Sequence, residues 1–185
     1  ARAKYNGQAA HEDRDIYKGL TMWSPNINIF RDPRWGRGHE TYGEDPYLTS
    51  RLGVAYVQGL QGDGEVLKSA ACAKHFAANN QETNRMENDS RVNVRPLREL
   101  YLKGFEIAIK DAQPWTIMSS YNHLNGVYTS ESRELLTDIA RDEWGFEGMV
   151  MTDWWMQKSV SPEFPNVRNS AYRVRAQVDV LMPGG

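Results

Sequence analysis

Five short, mainly apolar runs, at 21–30, 69–76, 115–121, 149–153 and 178–182, constrain the fold of this chain more than any other feature. None alternates apolar with polar residues. A strand with one wet face reads in period two, whereas a strand covered on both faces reads as a continuous apolar run, the condition of parallel sheets flanked by helices. Between the runs lie segments of helical period. Asp45-Pro46 offers an N-cap and a proline at the first helical position, and Leu48, Leu52, Ala55, Tyr56 and Leu60 then fall on one stripe that the spacing predicts to be buried. Arg95-Pro96 opens a second helix with Leu97, Leu100, Tyr101, Gly104 and Ala108 on one face. A third carries Leu135, Leu136, Ile139 and Ala140 ahead of the stop at Trp144-Gly145-Phe146. Strand, helix and strand in series predict right-handed βαβ units and an α/β fold.

The polar and unusual residues gather at and just past the ends of these runs, at 31–45, 75–91, 121–128 and 153–158. A doubly wound open sheet places its ligands around one switch point, while a (β/α) barrel equips the C-terminal end of every strand. Several equipped ends in a row favour the barrel. Five strands cannot close an eight-stranded barrel, so the expected fold is a portion of a (β/α)8 TIM-type barrel with parallel strands, filling 1–185 as one partial domain. The absence of an initiator Met and the stop just after the last apolar run lead us to expect that both ends are cut.

Composition narrows the function classes. With 185 residues, 40% of them hydrophobic, the chain can bury one sizeable core. Its 22 basic and 24 acidic residues are interspersed and sum to a net charge of -2, which gives no footprint for nucleic acid and suits a neutral substrate. No stretch approaches the roughly 20 apolar residues of a membrane span. Cys72, set among Ala70, Ala71 and Ala73, reads as a buried structural thiol that neither requires nor excludes an oxidising compartment. Asn88-Asp89-Ser90 is an N-glycan acceptor triplet of the kind that arises often by chance.

The residues able to do chemistry are few. Asp153 ends an apolar run and is followed at once by Trp154 and Trp155. An Asp in that place is often a helix N-cap, yet two tryptophans beside it also offer a flat wall for a sugar ring. Lys74 and His75 end the second run; neighbours on a strand point to opposite faces, so both can reach one mouth only where the strand ends or bulges. Residues 31–37 hold three arginines and Asp32 in a tight turn, in which Arg forks pair with Asp32, Glu40, Glu44 or Asp45 and one spare Arg is left for a hydroxyl or a carboxylate. His11, His39, His75 and His123 are too far apart for a metal motif, and no glycine-rich phosphate loop or GxSxG elbow occurs, so no metal or cofactor is expected.

Four stretches, "NIFRDPRWGRGHETYGEDPYL", "AKHFAANNQETNR", "MSSYNHLNGVYTSE" and "DEWGFEGMVMTDWW", in this order, resemble the (β/α)-barrel domain of glycoside hydrolase family 3 over nearly the whole chain. The resemblance implies retaining, exo-acting hydrolysis of β-linked sugars, with Asp153 as nucleophile. It also implies sugar-binding roles for Arg37, Lys74, His75, Tyr121 and Trp154, and leaves Trp155 to packing. The charges of Arg and Lys are expected to lower the Asp153 pKa against desolvation by the tryptophans. Ala77 and Ser90-Arg91 depart from the N-acetylglucosaminidase branch, which carries its acid/base in that loop. The other branches take the acid from a second domain and a further sugar-binding Asp from a "DGP" motif, neither of which this sequence contains; Glu82 and Glu40 have no such family role. The expected protein is a β-glucosidase, with a β-xylosidase or arabinosidase, or a non-catalytic carbohydrate-binding or assembly module, as alternatives. Its expected partners are a β-linked oligosaccharide or glycoside, together with the missing barrel strands and second domain or another copy of itself. The chain alone is expected to be inactive.

Overall fold

The computed structural model describes residues 1–156 and 170–183. In chain order it forms the exposed helix α1 (Arg2–Ala9), strand β1 (Thr21–Met22), helix α2 (Pro46–Gln61), strand β2 (Ala70–Phe76) and the short β3 (Asp89–Ser90). The turn α3 (Val94–Pro96) runs through a wider π-type segment, Leu97–Tyr101, into α4 (Lys103–Ala112). Strand β4 (Thr116–Ser119), the hairpin β5 (His123–Leu124) and β6 (Val127–Tyr128), a π-wound helix Glu134–Glu143, strand β7 (Met149–Met151) and helix α5 (Ala171–Arg175) complete the described chain.

The main sheet has the order β1-β2-β4-β7, every pair parallel, and a small second sheet has the order β3-β5-β6. Parallel neighbours joined through helices are the βαβ units that the apolar runs predict. The register opposes Cys72 to Thr116 and Ala73 to Ile117, then Thr116 to Met149 and Ile117 to Val150. One sheet face carries Ala73, Ile117 and Val150 into the large core with Phe76, Phe105, Leu102 and Leu136 from the strands and helices. The other carries Cys72, Met118 and Met151 into a smaller cluster with Trp23, Val180 and Met182. Both faces are therefore covered, and each fully buried Leu, Ile or Phe contributes about 1.5–3 kcal/mol. The sheet is an arc of a (β/α)8-type barrel.

Three expectations change. The run 21–30 is not one strand: the regular ladder stops at Met22, the Ser24 and Pro25 carbonyls accept the Cys72 and Lys74 N–H groups at 2.9 and 3.0 Å, Pro25 has no N–H to give in return, and the bridge Asn26 to Lys74 follows, where Ile27 N–H donates to Lys74 O at 2.8 Å. The run 178–182 is reduced to a parallel bridge, Met151 to Val180, because the Asp179 carboxylate takes the Val150 N–H at 2.7 Å and Pro183 cannot extend the ladder.

The buried side of α2 also turns away from the predicted stripe. Leu48, Leu52 and Tyr56 are 51%, 42% and 41% exposed, while Thr49, Ser50, Gly53, Val54, Val57 and Gln61 face inward. Close approach decides this: a Cβ on Gly53 would lie 2.8 Å from Ile27 Cγ2, so the helix meets the sheet through its small residues. Asp45 does cap α2, accepting the Leu48 N–H at 2.6 Å. In the second helical stretch Gly104 and Ala108 are buried as predicted and Leu100 is 40% exposed, Leu102 and Phe105 taking the inner positions. Leu135, Leu136, Ile139 and Ala140 are all buried, as their spacing predicts.

Candidate active site

The C-terminal ends of β2, β4 and β7 bring the candidate residues together. Between Ala73 and Phe76 the β2–β4 register slips, which is the bulge that allows both Lys74 and His75 to turn toward one mouth. Lys74 follows Cys72 on the inner face of β2. His75 is 1% exposed and is held by Asn28, which accepts the His75 backbone N–H at 2.8 Å and donates its own amide to the His75 carbonyl at 2.8 Å. These two bonds fix the Asn28 amide. Its Oδ1 can only accept, so the 3.2 Å contact to His75 Nδ1 puts the proton on Nδ1 and leaves Nε2 with its lone pair. Burial first, then the charges of Arg37, Lys74 and Arg85, push the imidazole well below the usual histidine range. At 3.8 Å from Asp153 Oδ2, Nε2 is thus a neutral neighbour and not an ion-pair partner.

Asp153, 7% exposed, lies just past β7. The Trp154 N–H donates to its Oδ1 at 2.8 Å, and the nearby Tyr121 phenol favours the ionised carboxylate. The carboxyl is raised above the ordinary Asp value. Desolvation is the largest cause, opposed by the Trp154 N–H, Arg85, Tyr121 and Lys74 in that order. The expected lowering by nearby cations is therefore corrected: the cations act in that direction, but burial outweighs them. Tyr121 is raised in turn, by burial and then by the Asp153 charge, so its phenol stays protonated and a donor.

The arginine turn divides its forks. Arg34 is held by Asp32 at 2.6 Å and keeps that carboxyl well below the usual range. Arg37 donates through Nε and Nη2 to the two Glu40 oxygens, each at 2.7 Å, so it is not the spare arginine expected; only its Nη1 lies outside the pair. Arg37 still feels the Asp153 charge, and Lys74 feels Arg37, Glu40 and Asp153. Burial is the main reason Lys74 sits below the ordinary lysine value. Trp154 packs edge-on to Trp23 at 5.0 Å and lines an apolar cavity of about 480 Å³ with Tyr17, Trp23 and Met182. Trp155, expected to pack, is instead 55% exposed, its ring 5.1 Å from Trp154. Cys72 is fully buried and its thiol is pushed up to about 12. Asn88 donates to Ser90 Oγ at 3.1 Å. Of the polar stretch 153–158, Gln157 and Lys158 lie outside the described residues.

Two members of the group were not singled out in the sequence. Arg85 sits over the Tyr121 ring at 4.3 Å and is the strongest cation acting on Asp153. Asn28 fixes His75. Arg85 is one arginine in a polar loop with no periodicity to mark it, and Asn28 lies inside an apolar run, where a polar residue in "NINIF" was the only signal.

The glycosyl hydrolase family 3 N terminal domain model matches residues 4–184. The exo-alpha-(1->6)-L-arabinopyranosidase of Bifidobacterium longum is 47% identical over 148 residues, 80% of this chain and 19% of that protein. The xylan 1,4-beta-xylosidase of Xylanibacter ruminicola is 41% identical over 189 residues, 99% of this chain and 22% of that protein. Among solved structures, beta-glucosidase 3B from Thermotoga neapolitana in complex with glucose superposes with a TM-score of 0.80 at 42% identity, covering 99% of this chain and 24% of that one. The chain spans about a fifth of the length of the curated relatives it matches. With the family model matched over nearly the whole chain and the fold shared at 42% identity, the chain belongs to glycosyl hydrolase family 3, within its N-terminal domain.

Proposed function

We propose that this domain supplies the nucleophile and most of the sugar-binding side of a retaining, exo-acting glycosidase, with Asp153 as nucleophile. The observation that carries the reading is a carboxylate 7% exposed, capped by a backbone N–H, beside Tyr121, His75, Lys74 and Arg85. In this reading an Asp153 oxygen attacks the anomeric carbon, the bond to the leaving oxygen breaks, and a glycosyl ester forms that water later hydrolyses. His75 Nε2 accepts a hydrogen bond from a ring hydroxyl, Lys74 donates one, and Arg37 Nη1 and Trp154 border the ring. Tyr121 and Arg85 keep Asp153 ionised and aimed.

The second carboxyl of the reaction is proposed to come from elsewhere in the complete polypeptide. Glu40 is held below its ordinary value chiefly by Arg37 and so is a poor proton donor, while both oxygens of Glu82 are already engaged, by Arg85 at 2.6 Å and the Trp35 indole at 3.0 Å. The glycone is a neutral pyranose. The narrower expectation of a glucosidase is not carried forward, because the names of the relatives divide among arabinopyranose, xylose and glucose, and the xylosidase or arabinosidase alternative stands level with it. The test is to trap the complete polypeptide with 2-fluoro glycosyl fluorides of these sugars and map the labelled peptide. A label on any residue other than Asp153 would overturn the reading.

A further inference from the structure

Glu82 carries no role in the reaction as described, yet its surroundings are built. Its two oxygens each receive one donor, from different loops: the Trp35 indole N–H on Oε1 at 3.0 Å and Arg85 Nη1 on Oε2 at 2.6 Å. Trp35 is 5% exposed, so the indole is a fixed anchor, and about three-quarters of the Glu82 side chain is shielded from solvent. The Arg85 guanidinium so held lies 4.3 Å from the centre of the Tyr121 ring, and both groups favour the ionised form of Asp153. An exposed Arg–Glu pair contributes little, but a shielded one with a second donor on the acid defines a geometry.

We propose that Glu82 is a positioning residue for the glycosyl transfer: anchored by Trp35, it holds Arg85 against the face of Tyr121 and so keeps the guanidinium and the phenol in place beside Asp153. The proposal rests on the reading of Asp153 as nucleophile. Glu82 touches neither Asp153 nor the sugar, and acts only through Arg85. The charged and titratable groups acting on Asp153 are Arg85, Lys74, Tyr121 and the neutral His75, with Arg37 behind them. The sign of a pH shift therefore separates two roles. If Glu82 acted only as a negative charge, its removal would make Asp153 easier to ionise, and the acid limb of kcat/KM would move to lower pH. If it positions Arg85, its removal lets the cation withdraw and the limb moves to higher pH.

The experiment uses the complete polypeptide and the nitrophenyl glycoside it turns over fastest, comparing E82A, E82Q, R85A and E82A/R85A over the acid limb. We expect E82A to lower kcat/KM by roughly 10- to 100-fold, the scale of a small misplacement in a catalytic constellation, with the limb displaced upward. E82Q, which keeps an acceptor, should fall between wild type and E82A, and it serves as the readout if E82A folds poorly. The double variant should lose no more than R85A alone, since both act on one path. A limb displaced downward in E82A, or additive losses in the double variant, overturns the proposal. If the 2-fluoro label on wild type maps to Asp153 and the losses are additive, only the role of Glu82 falls. If the label maps elsewhere, the nucleophile reading falls first.

Discussion

At Asp153 desolvation raises the carboxyl, while the Trp154 N–H, the Tyr121 hydroxyl and the charges of Arg85 and Lys74 favour the ionised form. Burial wins, so the folded protein binds this proton more tightly than the unfolded chain does. The stabilisation from that proton is present below the unfolded value near 3.8 and is lost as pH rises through the raised folded value. At neutral pH the ionised nucleophile is thus a local liability. Asp153→Asn is expected to abolish turnover, by at least ~10³-fold, while raising the melting temperature at pH 7 by the equivalent of about 1 kcal/mol. A lower melting temperature would show that its hydrogen bonds outweigh desolvation. Asn28→Ala removes both bonds to the His75 backbone; a loss of about 1–3 kcal/mol of stability is expected, together with a fall in kcat/KM. That Asp153, Lys74, His75 and Tyr121 gather at one mouth was legible because each sits in a distinctive motif at or next to a strand end, with Arg37 in a loop motif. Which of four acids pairs with Arg37, and the net sign at Asp153, were not, since pairing and burial are properties of the fold.

Among the elements, α2 shows best where periodicity fails. Its larger apolar residues lie at helical spacing, yet the sheet side requires small ones. Leu52→Glu is expected to change stability by less than about 0.5 kcal/mol in urea titrations, whereas Val57→Ala, at a position with no exposure, should cost about 2 kcal/mol. The reverse order would mean that Leu52 is covered in the complete molecule. Just before β7, a Cβ on Gly148 would run into the Trp115 carbonyl oxygen, so Gly148→Ala should destabilise by roughly 1–3 kcal/mol through displacement of the strand. The strands were read correctly in kind and order, and their ends less well. Pro25 has no N–H to give the ladder, and the Asp179 side chain takes a strand N–H, features that apolar character does not report.

For the whole molecule, the four-stranded parallel order leaves β1 with a free edge, and β7 meets only the Val180 bridge on its far side, among the described residues. Large side chains such as Ile16, Tyr17 and Trp155 are more than half exposed. Such edges and patches favour association. The 185-residue chain expressed alone is expected to sediment above its monomer mass and to hydrolyse nitrophenyl β-glycosides at a small fraction of the rate of the complete polypeptide. A well-behaved, active monomer would refute both expectations. The partners of Asp153 come from strands scattered through the chain, with Lys74 and His75 near the end of β2, Arg85 in the loop after it, Tyr121 past β4 and Asp153 itself past β7. Apart from the neighbours Lys74 and His75, and Trp154 beside Asp153, these groups are far apart in sequence, so the site exists only once the long loops between these strands have closed. During refolding, compactness and helical signal should therefore return well before the first competent site does, and during synthesis the constellation stays unassembled until the last of these strands has left the ribosome.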